Sequence, residues 1–484
     1  MAEELQRDWV SQMSKSHKII FGGLVGLLVL IALALLLFVD ANAYKPRFES
    51  TASAALGMEV RVGGRMGVDF FPSLSVTLED VHISNHGKDI LSAKEATLGI
   101  DLLPLFHKEV RLGKLALKHP SFSIERDSDG KYNFDNSEAF RGTLPALNLG
   151  EVSLSDGTLN YADKQSGKGF EAGDCKLDVR RLRLAEAKSS DFMKNLSFTA
   201  ELTCGEIRTK DFTVSDLMFS VTGKDGVFDF KPVMMRVFGG QGSGNIRADF
   251  SGAVPLYHIH YSLPQFRIEE FYKTLSQQKV VEGAMDFSAD LSMQGKTVNE
   301  MTQTANGEAS LRGENLTLNG TDLDQEFSRY ESSQHFNLVD LGAVLLGGPV
   351  GLVVTKGYNF ASILKGSGST SAIRTLVSEW KIERGVAHAQ DVAMATNMNR
   401  IALRGGLDFA NGRFDDVTVV LIDAKGCAKV KQKISGPFQK PVVDNPNILA
   451  TLAGPALKLL KKGMKLFSGG ACEVIYTGSV APPK

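Results

Sequence analysis

The chain has little of several residue types, and each shortage excludes a class of protein. Its 484 residues carry 54 Lys and Arg against 55 Asp and Glu, so the net charge is −1. A chain without a cationic field is not expected to bind nucleic acid. Proline is scarce, at 15 residues, while glycine reaches 48 without a triplet period. This composition excludes collagen and favours tight turns between many strands.

Long apolar runs are equally rare. A single run, Ile19 to Val39, holds 21 residues with no charged side chain. As a helix it would be about 31 Å long, which matches the core of a bilayer. The run predicts one transmembrane helix, residues 19–39, after a cytoplasmic tail of residues 1–18, with the long remainder on the other side. Ala41-Asn42-Ala43 resembles a cleavage site, so a signal peptide stays the alternative.

Signatures of catalysis and of metal binding are also lacking. The sequence has no G-x-S-x-G nucleophile elbow and no H-E-x-x-H pair. His258 and His260 share one strand face, but no cysteine or carboxylate close in sequence completes a metal site. We therefore predict no enzyme activity, no catalytic residue, no metal and no cofactor.

Cysteine is limited to four residues, none of which forms a C-x-x-C pair, and this excludes zinc-ribbon and thioredoxin-type sites. All four follow the apolar run, and an even number there suits an oxidising compartment. Pairing between neighbours in sequence gives Cys427 with Cys472 and Cys175 with Cys204, one of three possible connectivities. Buried free thiols are the alternative.

What the sequence does contain is an alternation of apolar and polar residues with a period of two. From Met285 to Met293 the odd positions are apolar and the even positions are Asp or Ser. Turn signals such as DSDG and GKDG separate similar segments, at 198–204, 246–250, 401–409 and 417–421. Near Val81 the phase of the alternation shifts, as at a β-bulge. The pattern predicts a mainly β chain with a long, twisted, antiparallel sheet that is apolar on one face.

Helical segments are few. We predict short helices at 48–56 and 269–276, short helices with loops in 322–365, and a basic amphipathic helix at 448–467, kinked at Pro455. These helices cannot cover the apolar face of so long a sheet. The sheet must fold on itself as a sandwich or barrel, or curl into a groove that accepts an apolar ligand. Alternation alone does not choose between them.

Four segments resemble the AsmA family of bacterial envelope proteins. They are GMEVRVGGRMGVDFFPSLSVTLEDVHISN, LNLGEVSLSDGTLNYAD, VVEGAMDFSADLSMQG and CEVIYTGSVAPP. The resemblance divides the chain into an amino-terminal AsmA-like region, 44–250, and a carboxy-terminal one, 251–484. It implies a single-pass inner-membrane anchor, a periplasmic β-groove and a role in outer-membrane biogenesis. It also implies that the partner of the groove is phospholipid.

Two functions are open at this point. In the first, an apolar groove binds or transfers glycerophospholipid. In the second, the protein is a scaffold without a lipid ligand that assists outer-membrane protein insertion, for which it would need exposed strand edges. The predicted groove lining consists of Phe287, Leu291, Ile246, Phe250, Leu403 and Phe409. The residues predicted to face water are Asp286, Asp290, Arg247 and Asp249.

We expect a disulfide between Cys427 and Cys472, which would close a loop of 46 residues. By loop entropy the bond would stabilise the fold by about 3–4 kcal/mol. Peptide mapping under non-reducing conditions should recover the two cysteines in one linked peptide. Two free thiols in protein from an oxidising compartment would contradict this pairing.

Overall fold

The computed structural model describes residues 41–69, 73–101, 112–134, 143–144, 147–185, 187–188, 192–274, 281–320, 322–325, 327, 369–444, 447–448 and 474–483. The chain divides into two compact units. One comprises residues up to 168 with 175–189, and the other comprises 169–174 with 190 onward. The predicted transmembrane helix, 19–39, lies outside the described residues. Within them, no helix combines the length and apolar character needed to span a bilayer.

The amino-terminal part of the chain begins with a 3-10 turn, Ala41–Tyr44, that leads into helix α1, Lys45–Leu56. The strands that follow are β1 Glu59–Val62, β2 Met66–Asp69, β3 Ser75–Asn85, β4 Lys88–Ile100, β5 Leu112–Arg126, β6 Thr143–Leu144, β7 Leu147–Asp163, β8 Lys168–Leu184 and β9 Ala187–Lys188. Both β1 and β2 pair with β3, which pairs with β4, which pairs with β5, all antiparallel. Leu78, Val81 and Leu117 lie in the core of this sheet.

The prediction of a purely antiparallel sheet is wrong at one pair of strands. β5 pairs with β7 in parallel, from Lys114 opposite Glu151 to Arg126 opposite Asp163. In a parallel pair both strands run in the same direction, so β7 begins at the end of the sheet at which β5 began. Alternation of side chains reports the face of a strand and not its direction, which is why the pattern missed this pair.

The rest of the chain is an antiparallel meander. Its strands are β10 Leu196–Thr209, β11 Thr213–Lys224, β12 Val227–Val237, β13 Gly240–Asp249, β14 Leu256–Arg267, β15 Val281–Glu282, β16 Ala284–Gln294, β17 Asn306–Asn319, β18 Thr370–Glu383, β19 Val386–Ala395, β20 Arg400–Asp408, β21 Arg413–Ile422, β22 Ala428–Pro437, β23 Val442–Val443 and β24 Asn447–Ile448. Each long strand pairs with the next long strand. In the described residues no pairing joins β10 to β22, so the meander is open.

Within the described residues the helices are few and short, as predicted. Besides α1 they include α2 Phe192–Asn195, α3 Ile268–Tyr272 and α4 Val298–Thr304. Helices α1 and α3 correspond to the predicted segments 48–56 and 269–276. Helix α4 was missed, although its signal is a capping box: Thr297 Oγ1 accepts from the Glu300 N–H at 3.2 Å, and Glu300 Oε2 accepts from the Lys296 N–H at 2.7 Å.

Two predicted helical segments fall largely outside the described residues. In 322–365, residues 323–325 and 327 are helical, and 328–365 are not described. In 448–467, Ile448 lies in β24 opposite Val430 and not in a helix. Residues 449–467 are not described.

Left-handed residues interrupt many of the strands. At Asp80, φ is +56°, and the flanking Leu78 and Val81 are both buried although they stand three residues apart. This confirms the predicted phase shift. Further left-handed residues within strands are His119, Asp156, Asp174, Arg181, Asp216, Gln265, Asn315 and Asp416. Such residues bend a strand and increase its twist, and Asp tolerates the conformation better than bulkier residues do.

The most deeply buried residues lie between β17 and β22, where both faces of the sheet are covered. On one face a large cluster includes Leu316, Ile373 and Ile401, each at most 1% exposed. On the other face Val377, Ala393, Ala402 and Val420 pack under Tyr476 and Val480 of the carboxy-terminal segment.

Asp391 holds that carboxy-terminal segment in place. Its carboxylate accepts hydrogen bonds from the Tyr476 hydroxyl at 2.5 Å, the Ser479 N–H at 2.8 Å and the Ser479 hydroxyl at 2.6 Å. Arg400 donates to the Val480 carbonyl at 2.8 Å, and its guanidinium lies over the Tyr476 ring. Burial would raise the pKa of Asp391, but the hydrogen bonds from Ser479 and Tyr476 outweigh it and hold the pKa below its usual value.

The cysteines agree with the expected oxidised state. Cys175 and Cys204 are each disulfide-bonded. Cys427 is also disulfide-bonded. Cys472, its predicted partner, lies outside the described residues. Val474, two residues later, forms an isolated antiparallel β-bridge with Cys427.

Replacing Asp391 with Ala should lower the free energy of unfolding by about 2–3 kcal/mol, because charge-assisted hydrogen bonds are lost. A carboxylate whose pKa is lower in the folded state than in the unfolded state, where it is about 3.9, stabilises the fold at a pH above the unfolded pKa. This contribution to stability is lost as the pH falls through the folded pKa. Denaturant unfolding should therefore show a smaller loss of stability in acid for Asp391→Ala than for the native chain. Exposed Asp415→Ala serves as the control and should change stability by less than about 0.5 kcal/mol.

Candidate apolar binding face

The second unit carries a continuous row of apolar side chains across its strands. Residues that lie directly opposite each other in neighbouring strands share a face, so the register defines the row. We call it the apolar row; its members are Ala200, Val221, Phe230, Ile246, Ile259, Leu291, Gly307, Ile382, Ala387, Leu407 and Phe414. No member is polar.

Burial changes along this row. Ala387, Leu407 and Phe414 are at most 6% exposed and belong to the core. From Phe230 to Ile382, every member that has a side chain is only half-buried. We call this stretch the open segment. It spans five strand spacings, which is about 24 Å at ~4.8 Å each.

Aromatic side chains border the open segment. Phe198, Phe228, Phe250 and Tyr257 form a chain of rings whose neighbouring centroids lie 6.0, 5.8 and 5.9 Å apart. Phe228 is buried, whereas the other three are half-buried. The partly exposed rings extend the apolar surface beyond the row itself.

The predicted lining residues do not all lie in the same environment. Ile246, Phe250, Phe287 and Leu291 are half-buried, and Ile246 and Leu291 belong to the open segment. Phe287 and Phe409 also pack against the large core cluster. Leu403 is 4% exposed inside that cluster, so it does not face an open surface. Leu323 and Phe327, from the helical residues after β17, belong to the same cluster.

Three side chains of the open segment were not predicted from the sequence: Phe230, Ile259 and Ile382. Phe230 lies in VFDFKPV, where Pro232 interrupts the alternation, and Ile259 lies in YHIHY, where two histidines drew attention to the opposite face. In both segments the aromatic and β-branched residues alternate with polar ones over four or five positions. That alternation was the available signal.

The opposite face of these strands is polar. Asp286, Asp290 and Arg247 are exposed, as predicted, and Asp249 is half-buried. Arg247 donates to the Asp229 carboxylate at 2.9 and 3.0 Å. His260 Nδ1 lies 3.1 Å from Asp290 Oδ2, and His258 is exposed nearby on β14. Within the described part of the chain, no group of three or more His, Cys, Asp or Glu residues is arranged to hold a metal ion.

Tyr261 stands out on the apolar face. Its ring lies over β13, where a Cβ at Gly242 would come within 2.1 Å of its hydroxyl and a Cβ at Gly244 within 2.9 Å of its ring. The hydroxyl is buried and has no hydrogen-bond partner among the described residues, and burial raises its pKa. Before β13 the turn is formed by Phe238 and Gly239, both with positive φ. The glycines that follow lie in strand β13, which pairs with β12 and β14.

Comparison with protein families gives one match. The model of the AsmA family matches residues 13–191 and 182–343 of this chain. These two segments contain the open segment as far as Gly307 and also the apolar run at 19–39. No curated protein and no solved structure matches the chain.

Replacing Tyr261 with Phe should raise the free energy of unfolding by about 1 kcal/mol, since it removes a buried hydroxyl that lacks a partner. Gly244→Ala should lower it by about 1–3 kcal/mol, because the new Cβ would stand 2.1 Å from the His260 carbonyl oxygen. Tyr257→Phe is the matched control and should be neutral. Denaturant unfolding measures all three, and a destabilised Tyr261→Phe would show that the hydroxyl is satisfied in solution.

Proposed function

Because the chain belongs to the AsmA family, we propose that it is an inner-membrane protein of outer-membrane biogenesis that binds glycerophospholipid. The acyl chains would lie on the open segment of the apolar row. The proposal is one of binding or transfer, without a catalytic step, a metal or a cofactor.

The half-buried open segment is the observation that carries the proposal. One leaflet of a bilayer core is about 15 Å thick, so an extended acyl chain is shorter than the ~24 Å open segment. Apolar surface removed from water contributes about 25 cal/mol per Å². A ligand with acyl chains would therefore gain free energy by covering Phe230, Ile246, Ile259 and Leu291.

Two further observations support the proposed location. The match to the family begins at residue 13 and so includes the apolar run 19–39, which we propose as a single-pass anchor. The disulfide-bonded state of Cys175 and Cys204 suits an oxidising compartment. Together they support a periplasmic location for the chain beyond residue 39.

Photo-crosslinking in cells tests the proposed ligand. A photoreactive residue at Phe287 or Leu291 should capture phospholipid, because both side chains lie on the apolar face. The same residue at Asp286 or Asp290 should not, because neighbouring side chains of a strand point to opposite faces. These two positions are matched controls on the same strand, β16.

A charge substitution separates binding from folding. Leu291→Asp should abolish lipid capture from position 287 while the protein stays folded, because position 291 is half-buried and the charge can reach water. If the variant unfolds, Leu291 is an ordinary core residue. Equal capture on both faces, or capture on neither, would contradict the lipid proposal and leave the scaffold function.

A further inference from the structure

Strands β1 and β2 form one edge of their sheet. β1 and β2 both pair with β3, and Gly63 and Gly64 continue the pairing between them by donating to the Asp80 and Glu79 carbonyls at 2.7 and 3.0 Å. Residues 59–69 therefore act as one edge strand. The backbone groups on the outer side of an edge strand can pair with a strand of another chain.

Side chains of residues 42–53 bond these outer backbone groups. The Val60 N–H donates to Ser53 Oγ at 2.9 Å, the Val62 N–H to Glu49 Oε1 at 2.7 Å and the Met66 N–H to Asn42 Oδ1 at 2.9 Å. The Lys45 ammonium donates to the Gly64 carbonyl at 3.1 Å. Four outward groups of the edge strand thus have side-chain partners in place of a neighbouring strand.

The spacing of these contacts explains how a helix can cover a strand. Lys45, Glu49 and Ser53 stand four residues apart, so they lie on one face of α1. Four helical residues rise about 6 Å, and two strand residues rise about 6.6 Å. The side chains of successive helical turns therefore reach every second residue of the strand.

Helix α1 is held against the edge strand mainly by polar contacts. Helix α1 has 12 residues and none of them is buried. Phe48 is its one contribution to the neighbouring core cluster. A helix of this length is marginal in isolation, so its attachment depends on the contacts with the edge strand. An added strand could form backbone hydrogen bonds with the same groups that α1 now occupies.

We propose that the outer edge of residues 59–69 is a strand-addition site that α1 keeps closed, and that it takes an extended segment of another protein. Val60 and Val62 point into the core, at 5% and 2% exposure, whereas Glu59 and Arg61 form an exposed ion pair. An incoming strand would continue this alternation. The partner segment is therefore amphipathic, with apolar and polar residues in turn.

The test uses the full-length chain in lipid nanodiscs and a labelled 11-residue peptide of alternating Val and Thr. Glu49→Ala with Ser53→Ala removes two acceptors from the cover, and the peptide should then bind at least tenfold more tightly than to the native chain. Ser50→Ala with Thr51→Ala changes two exposed positions of the same helix and is the matched control. Its affinity should stay within twofold of native.

Hydrogen exchange decides where the peptide binds. The amides of Val60 and Val62 should exchange faster in the loosened variant and regain protection with the peptide. If these amides are released and the peptide binds no more tightly, the proposal is overturned. Self-association of the loosened chain in place of peptide binding would also overturn it. If the double variant does not fold, as judged by the β4–β5 amides, Ala52→Pro breaks the helix instead and gives the same readout.

Discussion

Cross-strand register is the constraint on which the rest of this structure depends. Opposite residues share a face, so each strand of the meander passes the orientation of its side chains to the next. A slip of one residue at any pair would turn the apolar set of the following strands toward water. The register from Ala200 to Phe414 prevents this over eleven positions. Both the apolar row and the polar face that carries Asp286 and Asp290 follow from it.

Bulges would normally endanger such a register, yet the strands contain many of them. In β3 and β4 the pairing passes from Glu79 opposite Glu95 to Val81 opposite Ala93, so both strands omit one residue together. The irregularity then bends the pair without reversing its faces. Asp occupies five of the left-handed positions within strands, including Asp80 and Asp216, because its short polar side chain tolerates that backbone conformation.

Sequence patterns predicted what depends on local order and missed what depends on distant contacts. The alternation at 285–293 correctly assigned the exposed Asp286 and Asp290 to one face of β16 and the half-buried Phe287 and Leu291 to the other. Neighbouring side chains in a strand point to opposite faces, so this assignment needs only local order. The same alternation placed Leu403 on an open face, and it could not show that this side chain lies in a core cluster with residues distant in sequence, such as Leu323 and Phe327. The parallel pairing of β5 with β7 and the ring of Tyr261 over β13 are likewise contacts between segments that no local period encodes.

A sheet leaves two kinds of surface to be covered: the backbone groups along its edge and the apolar side chains on its face. In the described residues helix α1 covers the edge at Val60 and Val62, and residues of α3 join Leu323 and Phe327 in the large core cluster. The open segment differs because its side chains remain half-buried although no polar residue interrupts them. Leaving it exposed costs free energy in proportion to its apolar area. The glycerophospholipid that we propose as ligand would lower this cost by covering the open segment.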